Sequence, residues 1–326
     1  MQQSDDPSAT WLVSDGAAGN HRQCQALAAL LQRAATDVLI APRAPWSWLA
    51  PRSLPFSPYA FEGPLNATLK RQNKPPELVI GCGRQAALAT RLLRPLGTTA
   101  VQILDPRVDA AHWDAVLVPR HDRLRGPNVV VTDGALHTVA PQSLTTARAQ
   151  FASLGALPSP RIAVLVGGDT HKRPLDVQGI MHALRELMPQ GSLMVTTSRR
   201  TPRQLTQTIR TLRIASSLWT GSEDAIHAGE STDNPYLGYL AWADAIVCGA
   251  ESVSMLSEAA ATTAPLYILG DLADDAPSRF AQQLLTSGRA HQWMPGTMLS
   301  FTPQTPVSNG DHVIADLRQI LASRGR

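Results

Sequence analysis

Short apolar runs recur along the chain, each closed by a polar or glycine-bearing turn, and most are followed by a segment with helical spacing. In the first half they fall at 11–13, 37–40, 78–80, 99–104, 115–118 and 128–132; in the second at 162–166, 193–197, 218–219 and 245–248. Runs this short and this rich in Val, Ile and Leu predict buried parallel strands. Between them, Cys24, Leu27, Leu30 and Leu31 share one helical face, and further helices are expected at 84–93, 143–154, 180–188 and 234–244. Strand, turn, helix, strand, repeated twice over, predicts an α/β protein of two Rossmann-like domains facing a cleft.

The stretch D-A-I-V-C-G-A-E-S-V-S-M-L-S-E-A, 244–259, is the most informative single piece. A strand ends at Gly249, Ser252 and Ser254 supply capping oxygens, and a helix runs from about Val253 until Pro265 forbids its continuation. Unpaired N–H groups at such a helix start attract phosphate. Glu258, one to two turns in, would lie roughly 6 to 9 Å from a phosphate held there, within reach of a ribose. An ordinary βα unit with Glu258 facing solvent is the plain alternative.

Other strand ends carry their own polar clusters. S-D-G-A-A-G-N-H, 14–21, combines Gly16 and Gly19, which allow close backbone approach, with Asp15 and His21. G-G-D-T-H, 167–171, presents Gly167, Gly168 and Asp169, and S-R-R-T-P, 198–202, places Ser198, Arg199 and Arg200 before a helix whose expected cap is Thr201. Two arginines at a helix start oppose the dipole unless an anion is present, and a diphosphate is the natural guest. Each cluster is also ordinary turn chemistry, and His21 could simply cap its helix.

From 41 to 64 the pattern breaks. Prolines exclude regular structure, while Trp46, Trp48, Leu49, Phe56, Tyr59 and Phe61 supply a large apolar surface with Arg43 and Arg52 nearby. The segment either packs on the first domain or forms an acceptor or membrane-contact surface. The expected division is a disordered tail at 1–10, a first domain at 11–156, a second at 157–310 and a helix at 311–326 crossing back to the first, with L-P-S-P at 157–160 as the link.

Composition narrows the classes. At 326 residues, 44% hydrophobic and 17% charged, the chain can bury two cores and is neither disordered nor tailed for nucleic acid. A formal charge of +3 without a block of Lys or Arg argues against nucleic-acid binding. Cys24, Cys82 and Cys248 lack metal-site spacing to a His and are expected as free thiols. With a polar, acidic start and no membrane-length apolar run, the chain is expected in the cytoplasm, peripheral to the inner membrane.

The 248–259 run resembles the donor-site helix of GT-B glycosyltransferases of the lipid-linked N-acetylglucosaminyltransferase type. That resemblance implies Glu258 as ribose ligand, Gly249 and Ser252 to Ser254 near the diphosphate, and Asp15 or His21 as the base for the acceptor hydroxyl. S-D-G-A-A-G-N, P-R-H-D, G-P-N-V-V-V-T-D-G-A-L-H, T-T-S-R-R-T-P and N-P-Y-L-G-Y-L-A-W-A-D-A, together with S-V-S-M-L-S-E-A, are similar to the ELM mitochondrial-fission family. Plant members are linked to recruiting a dynamin-like protein, a role not expected of a chain without a targeting peptide. The expected function is a metal-independent glycosyltransferase using a nucleoside-diphosphate sugar as substrate, with no cofactor, no metal site and a lipid or membrane-surface acceptor. Consistent with that expectation, the chain has no D-x-D triplet. A nucleotide-sugar epimerase of the same architecture and a non-catalytic membrane-associated adaptor are the alternatives.

Overall fold

The computed structural model describes residues 9–169, 174–221, 233–307 and 310–324. The expected tail lies almost wholly outside these residues, as do Thr170 and His171. The chain divides into two compact units, one of 1–138 with 309–326 and one of 139–308.

In the first unit β1 (Thr10–Ser14), β2 (Thr36–Leu39), β3 (Leu78–Cys82), β4 (Thr99–Ile103), β5 (Ala115–Pro119) and β6 (Val129–Thr132) form one sheet in the order β2-β1-β3-β4-β5-β6. All of its pairings are parallel. Alternate residues bury on opposite faces, which is why these strands read as continuous apolar runs. Leu12, Ile80, Val101 and Leu117 pack with Cys24 and Leu27 of the Ala18–Leu30 helix and with Val313, Ile314 and Leu317 of the Asp311–Arg324 helix. Val13, Val79, Ala100 and Val116 face the other way, onto Leu65, Ala86, Leu93 and Trp113.

The second unit repeats the plan with β7 (Arg161–Val166), β8 (Ser192–Thr197), β9 (Ser217–Trp219), β10 (Ala245–Gly249), β11 (Leu266–Leu269) and β12 (Ala290–Gln292). Their order, β12-β11-β10-β7-β8-β9, is again all parallel. The chain leaves β7 in one direction through β8 and β9, then returns to β10 and leaves in the other. The carboxyl ends of β7 and β10 therefore form a topological switch point, the usual ligand crevice of an open α/β sheet.

One boundary and one helix differ from expectation. The helix at Pro141–Gln150, expected to close the first domain, belongs to the second unit. Leu144 and Phe151 pack on that unit's core, and Arg148 Nε donates to the Ala241 carbonyl at 2.7 Å. The division thus falls at 138/139 rather than at the L-P-S-P link, because apolar contacts and not prolines decide where one core stops. A second difference is a helix at Ala276–Thr286, which the patterning left unassigned; it starts on Asp275, whose side chain accepts the Ser278 N–H, and buries Phe280, Ala281 and Leu284.

Candidate functional site

At the β7/β10 crevice three strand-end glycines meet, and the protein itself fills the space they leave. A Cβ on Gly167 or Gly249 would lie 2.3 or 2.2 Å from Glu251 Oε1, and that carboxylate accepts the Gly167 N–H at 2.8 Å. A Cβ on Gly168 would lie 2.3 Å from the backbone carbon of Arg200. Gly167, Gly168 and Gly249, expected to admit a ligand, are thus glycine because Glu251 and the 198–201 turn pack onto them. The same crevice opens into a pocket of about 110 Å³ whose lining includes Gly168, Asp176, Gly249, Glu251 and Asp271. Its three carboxylates disfavour a diphosphate and suit a hydroxyl-bearing group.

The helix starts of this unit differ in charge, and that difference sorts them. The Val177–Leu187 helix is capped by Asp176, which accepts the Gly179 N–H at 2.9 Å, and the Ala276–Thr286 helix by Asp275. A carboxylate already sits where an anion would go. By contrast, the Val253–Ala260 helix is capped by the neutral Ser252, whose hydroxyl accepts the Met255 N–H at 3.4 Å. The Arg203–Thr211 helix starts on Pro202, with Arg199 and Arg200 exposed just before it. Thr201 is not its cap: the Thr201 hydroxyl donates to the Gly167 carbonyl and accepts the Ser198 N–H, tying the arginine turn to the end of β7. The Ser198 hydroxyl accepts the Arg200 N–H at 3.2 Å, and Arg200 Nη1 donates to the Asp169 carbonyl at 3.1 Å. Gly167, Gly168, Asp169, Ser198 and Arg200 are therefore one packed group.

Glu258 lies inside the Val253–Ala260 helix and is 8% exposed. Its carboxylate accepts a hydrogen bond from the Tyr236 hydroxyl at the start of the Tyr236–Trp242 helix. That phenol orients the carboxylate and was not singled out by the sequence reading. Ser254 is in the first turn, half-buried. At the far end of the same helix Arg289, 6% exposed, binds four carbonyls: Ala259, Ala260, Thr262 and Ala264. A cation at the carboxyl end complements the helix dipole and anchors the helix that carries Glu258. Burial pulls its pKa down to about 10, so it stays charged at neutral pH.

In the first unit, Asp15 Oδ1 accepts the Ala17 N–H at 3.1 Å and Asn20 Nδ2 at 3.2 Å, which ends β1 and starts the next helix at Ala18. The polar stretch at 14–21 is thus only in part a loop, and Gly19 and His21 lie in the first helical turn. Gly16, by contrast, is left-handed (φ +79°) with open space where a Cβ would stand. The helix cap is Ala17, so His21 does not cap it. Instead the imidazole lies between Ser14 Oγ, 3.4 Å from Nδ1, and the Asp37 carboxylate, 3.4 Å from Nε2. Asp37 comes from β2, and only the β1–β2 pairing brings it to His21. All three cysteines are buried free thiols, and burial pushes Cys82 and Cys248 well above the usual thiol range, so they are poor nucleophiles.

The family model described as "Mitochondrial fission ELM1" matches residues 18–321. The chain belongs to that family. It is 32% identical over 229 residues to mitochondrial fission protein ELM1 of Arabidopsis thaliana, which covers 60% of this chain and 52% of that protein. It is 25% identical over 306 residues to an uncharacterised protein of Rickettsia prowazekii (strain Madrid E), covering 79% and 82% of the two chains. The chain thus spans about half the length of the Arabidopsis relative. Among solved structures it resembles a Listeria monocytogenes protein assigned as a UDP-N-acetylglucosamine 2-epimerase, with TM-score 0.53 and 11% identity over 98% of this chain and 89% of that one. It also resembles the spinosyn forosaminyltransferase SpnP, with TM-score 0.52 and 14% identity over 98% and 91%. At these identities the likeness shows the fold alone, and that fold is the GT-B-like one of two Rossmann-like units.

Proposed function

We propose that this member of the ELM1 family is a glycosyltransferase that takes a nucleoside-diphosphate sugar. The observation that carries the reading is the Val253–Ala260 helix, with a neutral Ser252 cap at one end, a buried Glu258 held by Tyr236 in its middle and Arg289 anchoring its other end. The diphosphate lies at the Ser252 to Ser254 turn, with Arg199 and Arg200 of the neighbouring turn contributing positive charge. Glu258 accepts from the ribose hydroxyls. On the acceptor side His21 takes the hydroxyl proton while Asp37 orients the ring. The acceptor oxygen then bonds to the anomeric carbon as the carbon–oxygen bond to the diphosphate breaks, and the charge leaving with the nucleotide is met by the helix start and the arginines, without a metal. A nucleotide-sugar epimerase, the activity assigned to the Listeria protein of similar fold, is the second reading.

Release of nucleoside diphosphate, followed with and without added lipid and carbohydrate acceptors, separates the two. Turnover that depends on an acceptor is expected, with kcat lowered about 100-fold in His21→Ala and less severely in Asp37→Asn, the range for loss of a positioned base. Isomerisation of the sugar without acceptor would instead establish the epimerase. Acceptor-dependent turnover untouched by His21→Ala would remove His21 from the mechanism.

A further inference from the structure

The segment from 41 to 64 is a built surface rather than a linker. Arg84 Nη1 donates to the carbonyls of Trp48 and Ala50, each at 3.1 Å, and Arg91 Nη1 to that of Pro51 at 3.2 Å, so the Arg84–Leu93 helix pins its backbone. The Trp46 indole N–H donates to the Pro55 carbonyl at 3.1 Å, drawing the two halves of the segment together. Asn66 Nδ2 and Ser57 Oγ hold the backbone around Pro58 and Leu54. Ala50, Ala60 and Phe61 are buried, yet Trp48 and Phe56 are each 74% exposed, Tyr59 54% and Leu49 44%. A backbone fixed this firmly that still directs Trp48, Phe56 and Tyr59 to solvent is built to meet something.

Charge says what. Residues 41–76 contain five Lys or Arg and one acid, Glu62, a net of +4, whereas the other 290 residues sum to −1. Glu62 is itself paired to Arg43. Arg52, Lys70, Arg71 and Lys74 are exposed, and Lys70 Nζ lies 4.2 Å from the centre of the Tyr59 ring, which puts cation and aromatic on one face. Amphipathic aromatics interleaved with basic groups match the headgroup layer of an anionic bilayer, where rings enter the interface and cations meet phosphates. Among the described residues no helix is long and apolar enough to cross a membrane.

We propose that this face of the first unit docks on an anionic lipid surface, with Trp48, Leu49, Phe56 and Tyr59 entering the headgroup region and Arg52, Lys70, Arg71 and Lys74 contacting lipid phosphates. The docking is independent of the transferase reading and stands or falls separately from it.

Flotation of the full chain with phosphatidylcholine vesicles, with and without a quarter phosphatidylglycerol, tests this. Partitioning onto the anionic vesicles about ten-fold above the neutral ones is expected, weakened by high salt. The double variants Trp48→Ser/Phe56→Ser and Arg52→Glu/Lys70→Glu alter exposed side chains, should keep the wild-type Tm, and should each lower partitioning about ten-fold. No flotation with anionic vesicles would overturn the proposal, as would flotation undiminished in both variants. A concentration-dependent dimer that Trp48→Ser/Phe56→Ser dissociates, without vesicle binding, would assign the face to a second copy of the chain and also overturn it.

Discussion

Arg289→Ala is expected to lower the stability of the second unit by about 3–5 kcal/mol, the range for breaking a buried charged network. The guanidinium donates to the carbonyls of Ala259, Ala260, Thr262 and Ala264, and to Gln304 Oε1 at 2.8 Å. Alanine would leave four buried carbonyl groups without that donor and open a cavity between the Val253–Ala260 helix and β12. Lysine would not rescue it, because one ammonium cannot span acceptors that the planar fork reaches together. For a unit of this size the loss corresponds to a fall in Tm of about 10 °C, readable by thermal unfolding followed by circular dichroism. A fall of about 2 °C or less would mean that water replaces the guanidinium at little cost, and that the helix is not anchored there.

Glu258→Ala is expected to weaken binding of a nucleoside diphosphate about 10- to 100-fold, the equivalent of one hydrogen bond to a charged group. Alanine also deprives the buried Tyr236 hydroxyl of its acceptor, so some stability will be lost with it. Glu258→Gln separates the effects. It preserves the volume and an acceptor for Tyr236, yet removes the charge to which, in the proposed reading, ribose hydroxyls donate. Titration calorimetry on both variants, each checked for a cooperative melt, is the measurement. Affinity equal to wild type in the glutamine and alanine proteins alike would reduce Glu258 to a packing partner of Tyr236.

The first sheet and most of the second were legible from the sequence because parallel strands buried on two faces leave uninterrupted apolar runs, and 78–80, 162–166 and 245–248 all lie within observed strands, whereas the three-residue edge strand β12, Ala290–Gln292, leaves no such run. The Ser252 cap was legible for the same local reason: cap and helix are adjacent in the chain. What could not be read was anything supplied by a different turn. Gly167 and Gly249 look like ligand-approach glycines until Glu251 is seen lying over both. Asp37 reaches His21 only through the β1–β2 pairing, and Tyr236 reaches Glu258 across 22 positions of sequence. The Ala276–Thr286 helix was a different kind of omission. Asp275 followed by Pro277 and a buried Phe280, Ala281 and Leu284 carries a readable start and face.

Whether the second unit holds a nucleoside diphosphate at the start of the Val253–Ala260 helix is tested most directly by a thermal-shift titration of the wild-type chain with the common nucleoside diphosphates and their sugars. A ligand that binds only the folded unit adds about 2.7 kcal/mol at a hundred times its Kd, a rise in Tm of about 5 °C or more. Such a rise is expected with at least one nucleotide, and its loss in Glu258→Ala; a melting point that none of them moves would contradict nucleotide binding at this helix.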